Sequence, residues 1–402
     1  MELAATRTIR KKGETWIVPS QAGADFYQVT ITAETESCTC PDFATRKARC
    51  KHMYAAAYFA MREINSKGEE TVTETLMVAE TKRRTYPQDW KNYNAAQVEE
   101  QDRFQVLLHD LCKNLPTIAP KPGRPPLPLS DAVFICAFKI YSTMSQRRFM
   151  SDLRESHKRG YISRVPHFNC VSNALENPNL STILKSLITQ SSLPLKSLET
   201  SFSVDSSGFT TSRFIRWYDH KYGKPRQRHE WVKIHLMTGN STHIVTSVEI
   251  GERYAGDSPY FVPMVKETAE NFKIGQVCAD SAYSSNKNAA AVYEVGGTPF
   301  IDFKANAVAD STTGSAYRQM FHFFQYQKEK FLAMYHQRSN IESVNAMIKA
   351  KFGDSLRSRT DTAMRNEALC KVLAHNIVCL IQAIHELGTQ PTFWNGHAEA
   401  AN

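Results

Sequence analysis

Alternation of apolar and polar residues predicts two short strands near the start of the chain. TWIV at 15–18 and FYQVTI at 26–31 follow the two-residue period of a strand, and a turn containing glycine separates them. A helix is predicted over 51–64, because its apolar residues follow the helical period. Residues 65–105 are polar with weak periodicity, which is typical of a linker. The start of the chain is therefore predicted to be a small separate module.

The helical period returns after a proline-rich joint, GRPPLP at 123–128, and predicts helices over 130–190. From residue 197 the pattern changes to strands, in LETSFSVD, EWVKIHLMTG and HIVTSVEIG. Helices then alternate with the strands KIGQVCAD and TPFIDF: helices at 258–272, near 286–295, through 315–352 and over 364–386. Three consecutive strands followed by alternating helices and strands predict an α/β domain with an antiparallel start and later crossovers.

One part of the long helix, YHQRSNIESVNAMIKAKFG at 335–353, carries polar residues in a single file. At about 100° per residue, they fall in a stripe about 60° wide. Three apolar residues fall on the opposite side, where a core would lie. The polar file is Tyr335, Arg338, Glu342 and Lys349, and the apolar residues are Ile341, Val344 and Ile348.

Length and charge narrow the class of protein. The 402 residues suffice for two or three domains, and a net charge of +9 favours a polyanionic partner, nucleic acid first and an anionic membrane second. The basic residues concentrate at 121–170, with nine Lys and Arg against three acids. No apolar run approaches the roughly 18 residues of a membrane span, and the start lacks the apolar segment of a signal peptide. We therefore expect a cytoplasmic protein without a membrane partner.

A cysteine-rich segment, CTCPDFATRKARCKH, contains four potential metal ligands: Cys38, Cys40, Cys50 and His52. Three thiolates and one imidazole are the soft, tetrahedral ligand set of structural zinc. The alternative is a group of buried cysteines beside an incidental histidine. The C-x-C…C-x-H spacing between a strand pair and a helix resembles the SWIM zinc-binding domain, over about residues 14–64. This resemblance implies a module that binds DNA or protein.

Three carboxylates occupy positions suited to binding Mg²⁺, which prefers hard oxygen ligands. Asp205 ends the alternating strand SFSVD, and Asp280 closes the strand IGQVCAD. The carboxyl ends of strands are where α/β sheets collect their ligands. Glu342 belongs to the polar file. Taken alone, each strand-end aspartate could equally be a cap or a turn former.

The combination of VDSSGF, ADSAYSS and Y-x2-R-x3-E-x6-K resembles the DDE transposases of bacterial and archaeal insertion sequences, in the group with the YREK signature. The likeness covers about residues 120–385. EWVKIHLM, with Lys233 and His235, is similar to the second strand of that family. GDSPYFVPMV resembles the Asp-Ser opening of the helix after its third strand, which Asp257 or Ser258 would cap.

The resemblance implies a ribonuclease-H-like mixed sheet with flanking helices, in which Asp205, Asp280 and Glu342 hold two Mg²⁺ or Mn²⁺ ions. Those ions would serve strand cleavage and then joining of the freed 3′-hydroxyl to target DNA. Tyr335, Arg338 and Lys349 would then contact the DNA backbone. Only 61 residues separate Asp280 from Glu342, too few for the β-rich insertion of hairpin-forming members, so that route is not carried over.

The basic stretch SQRRFMSDLRESHKRGYISRVPHF interleaves cations with aromatic residues, a pattern suited to gripping DNA phosphates. The alternative is a solvated surface. The candidate phosphate contacts are Arg147, Arg148, Lys158 and Arg159.

The sequence therefore predicts an insertion-sequence transposase that acts on double-stranded DNA as a homodimer, in the cytoplasm at the nucleoid. The alternatives are a nuclease of the same fold without strand transfer, and a domesticated DNA-binding protein without catalysis. The predicted domains are a zinc module at 1–66, a polar linker at 67–122, a helical DNA-binding region at 123–195, the catalytic domain at 196–386 and a tail at 387–402.

Overall fold

The computed structural model describes residues 9–20, 25–32, 35–64, 89–116, 126–211, 231–252, 254–304, 307–309 and 314–394. The chain divides into two compact units, Met1–Pro87 and Gln88–Asn402.

The first unit contains a four-stranded antiparallel sheet in the order β1-β2-β3-β4. Its strands are β1 (Arg10–Lys12), β2 (Thr15–Pro19), β3 (Phe26–Ile31) and β4 (Glu36–Cys38), followed by helices α1 (Pro41–Arg46) and α2 (Lys51–Ile64). Trp16 pairs with Val29 across β2 and β3, and both side chains join a small core with Val18 and Met53. The predicted strand pair and helix are confirmed, whereas the predicted turn falls partly on residues 21–24, outside the described residues.

The second unit is built around a five-stranded sheet in the order β7-β6-β5-β8-β9. β5 pairs antiparallel with β6, and β6 with β7, while β5 with β8 and β8 with β9 are parallel. The predicted antiparallel start with later crossovers is thus confirmed. The strands are β5 (Ser201–Thr210), β6 (Trp231–Gly239), β7 (Val245–Gly251), β8 (Gln276–Ala279) and β9 (Thr298–Ile301).

Helices flank this sheet and precede it in the chain. Those before the sheet are α3 (Trp90–Cys112), α4 (Leu129–Ser142), α5 (Gln146–Lys158), α6 (Asn169–Leu175) and α7 (Leu180–Ser192). The helices that follow β7 in the chain are α8 (Ser258–Ala269), α9 (Asn286–Glu294), α10 (Ser315–Tyr326), α11 (Lys328–Tyr335), α12 (Ser339–Phe352) and α13 (Asp361–Leu387). The helices of 129–192 share one buried core with the sheet, through residues such as Phe138 and Leu236.

The predicted linker over 67–122 is wrong for residues 90–112, which form helix α3. Its apolar residues are too sparse for a strong helical pattern, but Phe104, Leu108 and Leu111 are buried against the neighbouring helices. Packing of this one face stabilises the helix despite its polar composition. α3 therefore belongs to the second unit.

The last helix, α13, is long and apolar enough to cross a membrane, but 72% of its most apolar window is buried inside the protein. It packs against α3, α4 and α7. Burial among other helices identifies it as the central core helix of the second unit.

Candidate metal centres

The four predicted zinc ligands lie together in the first unit. Cys38 ends β4, Cys40 caps α1, and Cys50 and His52 lie at the start of α2. Each residue offers one ligand atom, and these atoms all lie within 4.8 Å of one another, with all four residues buried. The sheet and helix α2 therefore bring the pair Cys38 and Cys40 next to the pair Cys50 and His52.

Burial and mutual contacts shift the pKa values of the thiols in this cluster. Burial raises the pKa of the Cys38 thiol to about 12. Burial acts to raise the pKa of Cys40, but hydrogen bonds from the Phe43 amide and the neighbouring thiols together outweigh it, so the pKa is lowered. Within the described part of the chain, the buried Nε2 of His52 has no hydrogen-bond partner. Three sulfurs and one imidazole nitrogen at this spacing fit the tetrahedral site of zinc.

In the second unit, Asp205 and Asp280 lie side by side at the level where the parallel strands β8 and β9 end, a position called here the sheet edge. Val204 pairs with Ala279 across the parallel strands β5 and β8, so the residue that follows each is an aspartate at the same level. Adjacent strands run about 4.8 Å apart, which brings the two carboxylates close together. The prediction that a strand ends at Asp205 is wrong, because β5 continues to Thr210 along its antiparallel pairing with β6. Asp280 does directly follow the end of β8, as predicted.

Glu342 approaches this edge from α12 through Arg338. Arg338 donates from Nη2 to Oε1 of Glu342 at 2.7 Å, and its Nη1 lies 4.0 Å from Oδ1 of Asp205. The hydrophobic face of α12, formed by Ile341, Val344 and Ile348, is buried as expected. The guanidinium therefore lies between two of the three predicted carboxylates.

The carboxylates influence one another. The pKa of Asp205 is raised to about 6, mainly by burial and also by the charges of Asp280 and Glu342, while the Ser206 amide and Arg338 oppose the shift. Asp280 also accepts a hydrogen bond from the Ala282 amide at 2.9 Å, so it is a turn cap as well as a member of this cluster. Three converging carboxylates with one neighbouring cation fit hard divalent ions such as Mg²⁺ and Mn²⁺.

The polar file does not lie on one continuous helix, so that part of the prediction is wrong. Gln327 leaves the helical region at φ −135° and separates α10 from α11, and a 3₁₀ turn at His336–Arg338 separates α11 from α12. Tyr335 and Arg338 still share a face, because residues three apart eclipse in a 3₁₀ turn. Lys349 lies two helical turns beyond Glu342, and within the described ranges it makes no hydrogen bond or ion pair to the carboxylates.

Lys233, His235 and Asp257 form a separate polar group next to β5. Lys233 forms an ion pair with Asp257, whose Oδ1 also lies 3.8 Å from Nδ1 of His235. Asp257 makes no side-chain capping bond to α8, in contrast to the capping role expected. His235 is fully buried and stacks on Tyr260 at 4.2 Å, and burial lowers its pKa to about 4. It is therefore neutral and not exposed to solvent.

Two residues near the sheet edge, Asn345 and Asp302, were not predicted from the sequence. Asn345 donates from Nδ2 to Oδ2 of Asp205 at 3.4 Å, one turn after Glu342. Asp302 directly follows β9, whose Ile301 pairs with Ala279, and its charge acts on Tyr335. The strand TPFIDF carried the same strand-end aspartate signal as Asp205 and Asp280.

The basic helix α5 turns one face inward and one outward. Phe149, Leu153 and Ser156 are buried, whereas Arg147, Arg148, Arg154 and Lys158 are exposed. Arg147 lies over the ring of Phe168, 5.0 Å from its centroid. Arg159 donates to Asp102 on α3 at 2.5 Å and to Glu155 at 3.2 Å, and Lys158 lies 3.7 Å from the same Glu155, so only Arg159 among these candidates is tied to another helix within the described residues.

Two models of known protein families match segments of this chain. Residues 196–377 match the family model of the transposase DDE domain, and residues 27–60 match that of the SWIM zinc finger. Transposases with DDE domains generally use divalent metal ions.

A solved structure of piggyBac transposase, in a synaptic complex with hairpin DNA, is similar to this chain with a TM-score of 0.35 and 10% identity, covering 75% of each chain. No curated protein matches the sequence. The second unit thus contains a segment, 196–377, that matches the transposase DDE domain, and the first unit contains a segment, 27–60, that matches the SWIM zinc finger.

Proposed function

We propose that this protein is an insertion-sequence transposase, which cuts the DNA at transposon ends and joins the freed 3′-hydroxyl to target DNA. The observation that carries the proposal is the approach of Asp205, Asp280 and Glu342 to one sheet edge, inside a transposase DDE domain. In this proposal the protein works as a homodimer on double-stranded DNA, in the cytoplasm at the nucleoid.

Each side chain has a distinct task in the proposed reaction. Asp205, Asp280 and Glu342 would hold two divalent ions, which would supply Lewis-acid chemistry for phosphoryl transfer. Arg338 and Tyr335 hold the phosphate next to the reacting bond, and a guanidinium can do so with two parallel hydrogen bonds. Lys349 contacts a phosphate further along the DNA, about 10 Å from Glu342 along the helix axis.

The outward face of α5 is proposed to bind the DNA backbone of the transposon end. Its four exposed cations face away from the core and outnumber the two acidic residues of the helix, Asp152 and Glu155, the second of which lies 3.7 Å from Lys158. Contacts of this kind position the DNA without reading its sequence. Arg159 is proposed to serve this surface indirectly, by fixing α5 to α3 through Asp102.

A test of catalysis uses a DNA duplex that carries the sequences flanking the gene, with Mg²⁺ and the full chain. Asp205→Asn, Asp280→Asn and Glu342→Gln are each expected to lower the cleavage rate at least about 100-fold, because each removes one charged metal ligand. Binding to the transposon ends, measured by gel shift, is expected to change little. Glu294→Gln, at an exposed carboxylate on α9, is the matched control.

The products separate the remaining candidates. Joined strand-transfer products support the transposase, whereas cleavage without joining identifies a nuclease. Binding of the ends by the wild-type protein without any cleavage would identify a non-catalytic DNA-binding protein and contradict the proposal.

The DNA surface is tested by the salt dependence of end binding. Arg148→Ala and Lys158→Ala are each expected to reduce the slope of log K against log salt by about 1, because each removes one phosphate contact. Lys113→Ala, an exposed cation at the end of α3, is expected to leave the slope unchanged. An unchanged slope in both α5 variants would remove this helix from the interface.

A further inference from the structure

The two oxygens of Asp205 meet different partners. Oδ2 accepts a hydrogen bond from Nδ2 of Asn345 at 3.4 Å, whereas Oδ1 lies on the side of Arg338, 4.0 Å from Nη1. Because an ionised carboxylate only accepts hydrogen bonds, the amide nitrogen and not the amide oxygen of Asn345 must face it. The direction of this hydrogen bond is therefore fixed by chemistry.

Asn345 and Glu342 reach the sheet edge from the same helix. They are three residues apart on α12, a spacing that places side chains next to each other on one helix face. The buried residues Ile341, Val344 and Ile348 fix the rotation of α12 about its axis. The packing that brings Glu342 to the carboxylates therefore also brings Asn345 to Asp205.

An amide suits this position better than a second cation would. Arg338 carries a positive charge beside the carboxylates and competes electrostatically with any metal ion bound there. The amide of Asn345 can hold Oδ2 without adding charge, while Oδ1 stays on the side of Arg338. Partners of this kind orient metal ligands, and their loss commonly weakens metal binding by 10- to 100-fold.

We propose that Asn345 is the positioning residue of Asp205: it donates a hydrogen bond to Oδ2 and so directs Oδ1 toward the metal site. This inference rests on the proposed function, since it requires a divalent ion at Asp205. Asn345 is not itself a metal ligand in this arrangement, because its amide nitrogen faces the carboxylate.

The test measures binding of Mn²⁺ to the full chain by electron paramagnetic resonance of the free ion, without DNA. Asn345→Ala removes the donor and is expected to raise the apparent Kd by about 10- to 100-fold. Asn345→Asp keeps the size of the side chain but replaces the donor with a repelling carboxylate, and it is expected to weaken binding at least as much. Ser343→Ala, at an exposed position on the same helix, is the matched control and should bind like the wild type.

Three results overturn or support the inference. Weaker binding in both Asn345 variants supports it. Tighter binding in Asn345→Asp would mean that residue 345 is a ligand, and unchanged binding in Asn345→Ala would mean that it has no role; either result overturns the inference. The variant Asp205→Asn distinguishes failure of this inference from failure of the proposed function. If it binds Mn²⁺ like the wild type, Asp205 is not a metal ligand and the proposed function itself is contradicted.

Discussion

Arg338 illustrates how a single residue can serve two states of the same site. Without metal, its guanidinium offsets part of the repulsion among the carboxylates, as its hydrogen bond to Glu342 and its approach to Asp205 indicate. Divalent ions would take over that role. The guanidinium would then be available for a DNA phosphate, which connects metal binding to DNA contact at one side chain.

The fully buried His375 predicts a specific pH dependence of stability. Burial lowers its pKa to about 4, and its Nε2 lies 2.9 Å from the carbonyl oxygen of His243. In the unfolded chain the pKa returns to about 6.5, so the unfolded state binds more protons between these values. The contribution of His375 to the free energy of unfolding is therefore complete above pH 6.5 and is lost as the pH falls toward 4, by about 3 kcal/mol in total.

Urea unfolding at pH 7, 6 and 5 measures this effect. His375→Gln is expected to flatten the dependence of the free energy of unfolding on pH, whatever its effect at pH 7. His322→Gln, at an exposed histidine of α10, should keep the wild-type slope. The same slope in the wild type and in His375→Gln would contradict the assignment.

Single residues could be predicted from the sequence where their immediate neighbours in the chain form a recognisable pattern. Asp205, Asp280 and Glu342 each stand in a motif or on a stripe that can be read from neighbouring residues. Asp302 follows a strand in the sequence as Asp280 does, but only the pairing of β8 with β9 places it at this site, and Asn345 is identified only by the packing of α12 on β5. Such contacts depend on tertiary register, which a single sequence does not specify.

Among the elements, α3 shows why composition misled the sequence reading. Polar residues dominate it, yet Phe104 is fully buried and stacks on Tyr141 with ring centroids 3.9 Å apart. Glu100 on the same helix accepts hydrogen bonds from Tyr141 and from Lys351 of α12. A helix held by long-range partners is not evident from local periodicity.

Truncation of Phe104 tests this assignment. Phe104→Ala is expected to lower the free energy of unfolding by about 3–5 kcal/mol, because it opens a cavity in a packed core. Val98→Ala, on the same helix at an 86% exposed position, should change it by less than about 0.5 kcal/mol. Equal, small losses in the free energy of unfolding for both variants, measured by chemical denaturation, would contradict the packed helix and support the linker.

The interrupted helix from 315 to 352 has a related physical origin. Its residues have helical character throughout, so the sequence predicts one element. The 3₁₀ turn at His336–Arg338 lies against β5 and β8, where Gln337 accepts hydrogen bonds from Ser201 and Gln276. These contacts with the sheet coincide with a change from α-helical to 3₁₀ geometry, which the periodicity of the sequence does not reveal.

For the molecule as a whole, the division into two units predicts independent responses to metal removal. The first unit has a small core and a zinc site fitted to four buried ligands, so its folding should depend on the metal. The second unit has two large cores of its own. A zinc chelator is therefore expected to unfold the first unit and to leave the thermal transition of the second unchanged.

Zinc content and calorimetry of the full chain check this prediction. We expect about one zinc per chain by elemental analysis, lost in the double variant Cys38→Ser with Cys50→Ser. Cys170→Ser, at a half-buried cysteine of α6, is the control and should retain the metal. Unchanged zinc in the double variant would contradict the assignment of the ligands.

The central claim is that Asp205, Asp280 and Glu342 together bind divalent metal ions. Anomalous diffraction from crystals of the full chain grown with Mn²⁺ locates such ions directly. We expect Mn²⁺ at the sheet edge between these three carboxylates, with Asp205 as a ligand and no ion there in Asp205→Asn crystals. Bound Mn²⁺ elsewhere in the second unit, with none in contact with Asp205, would contradict it.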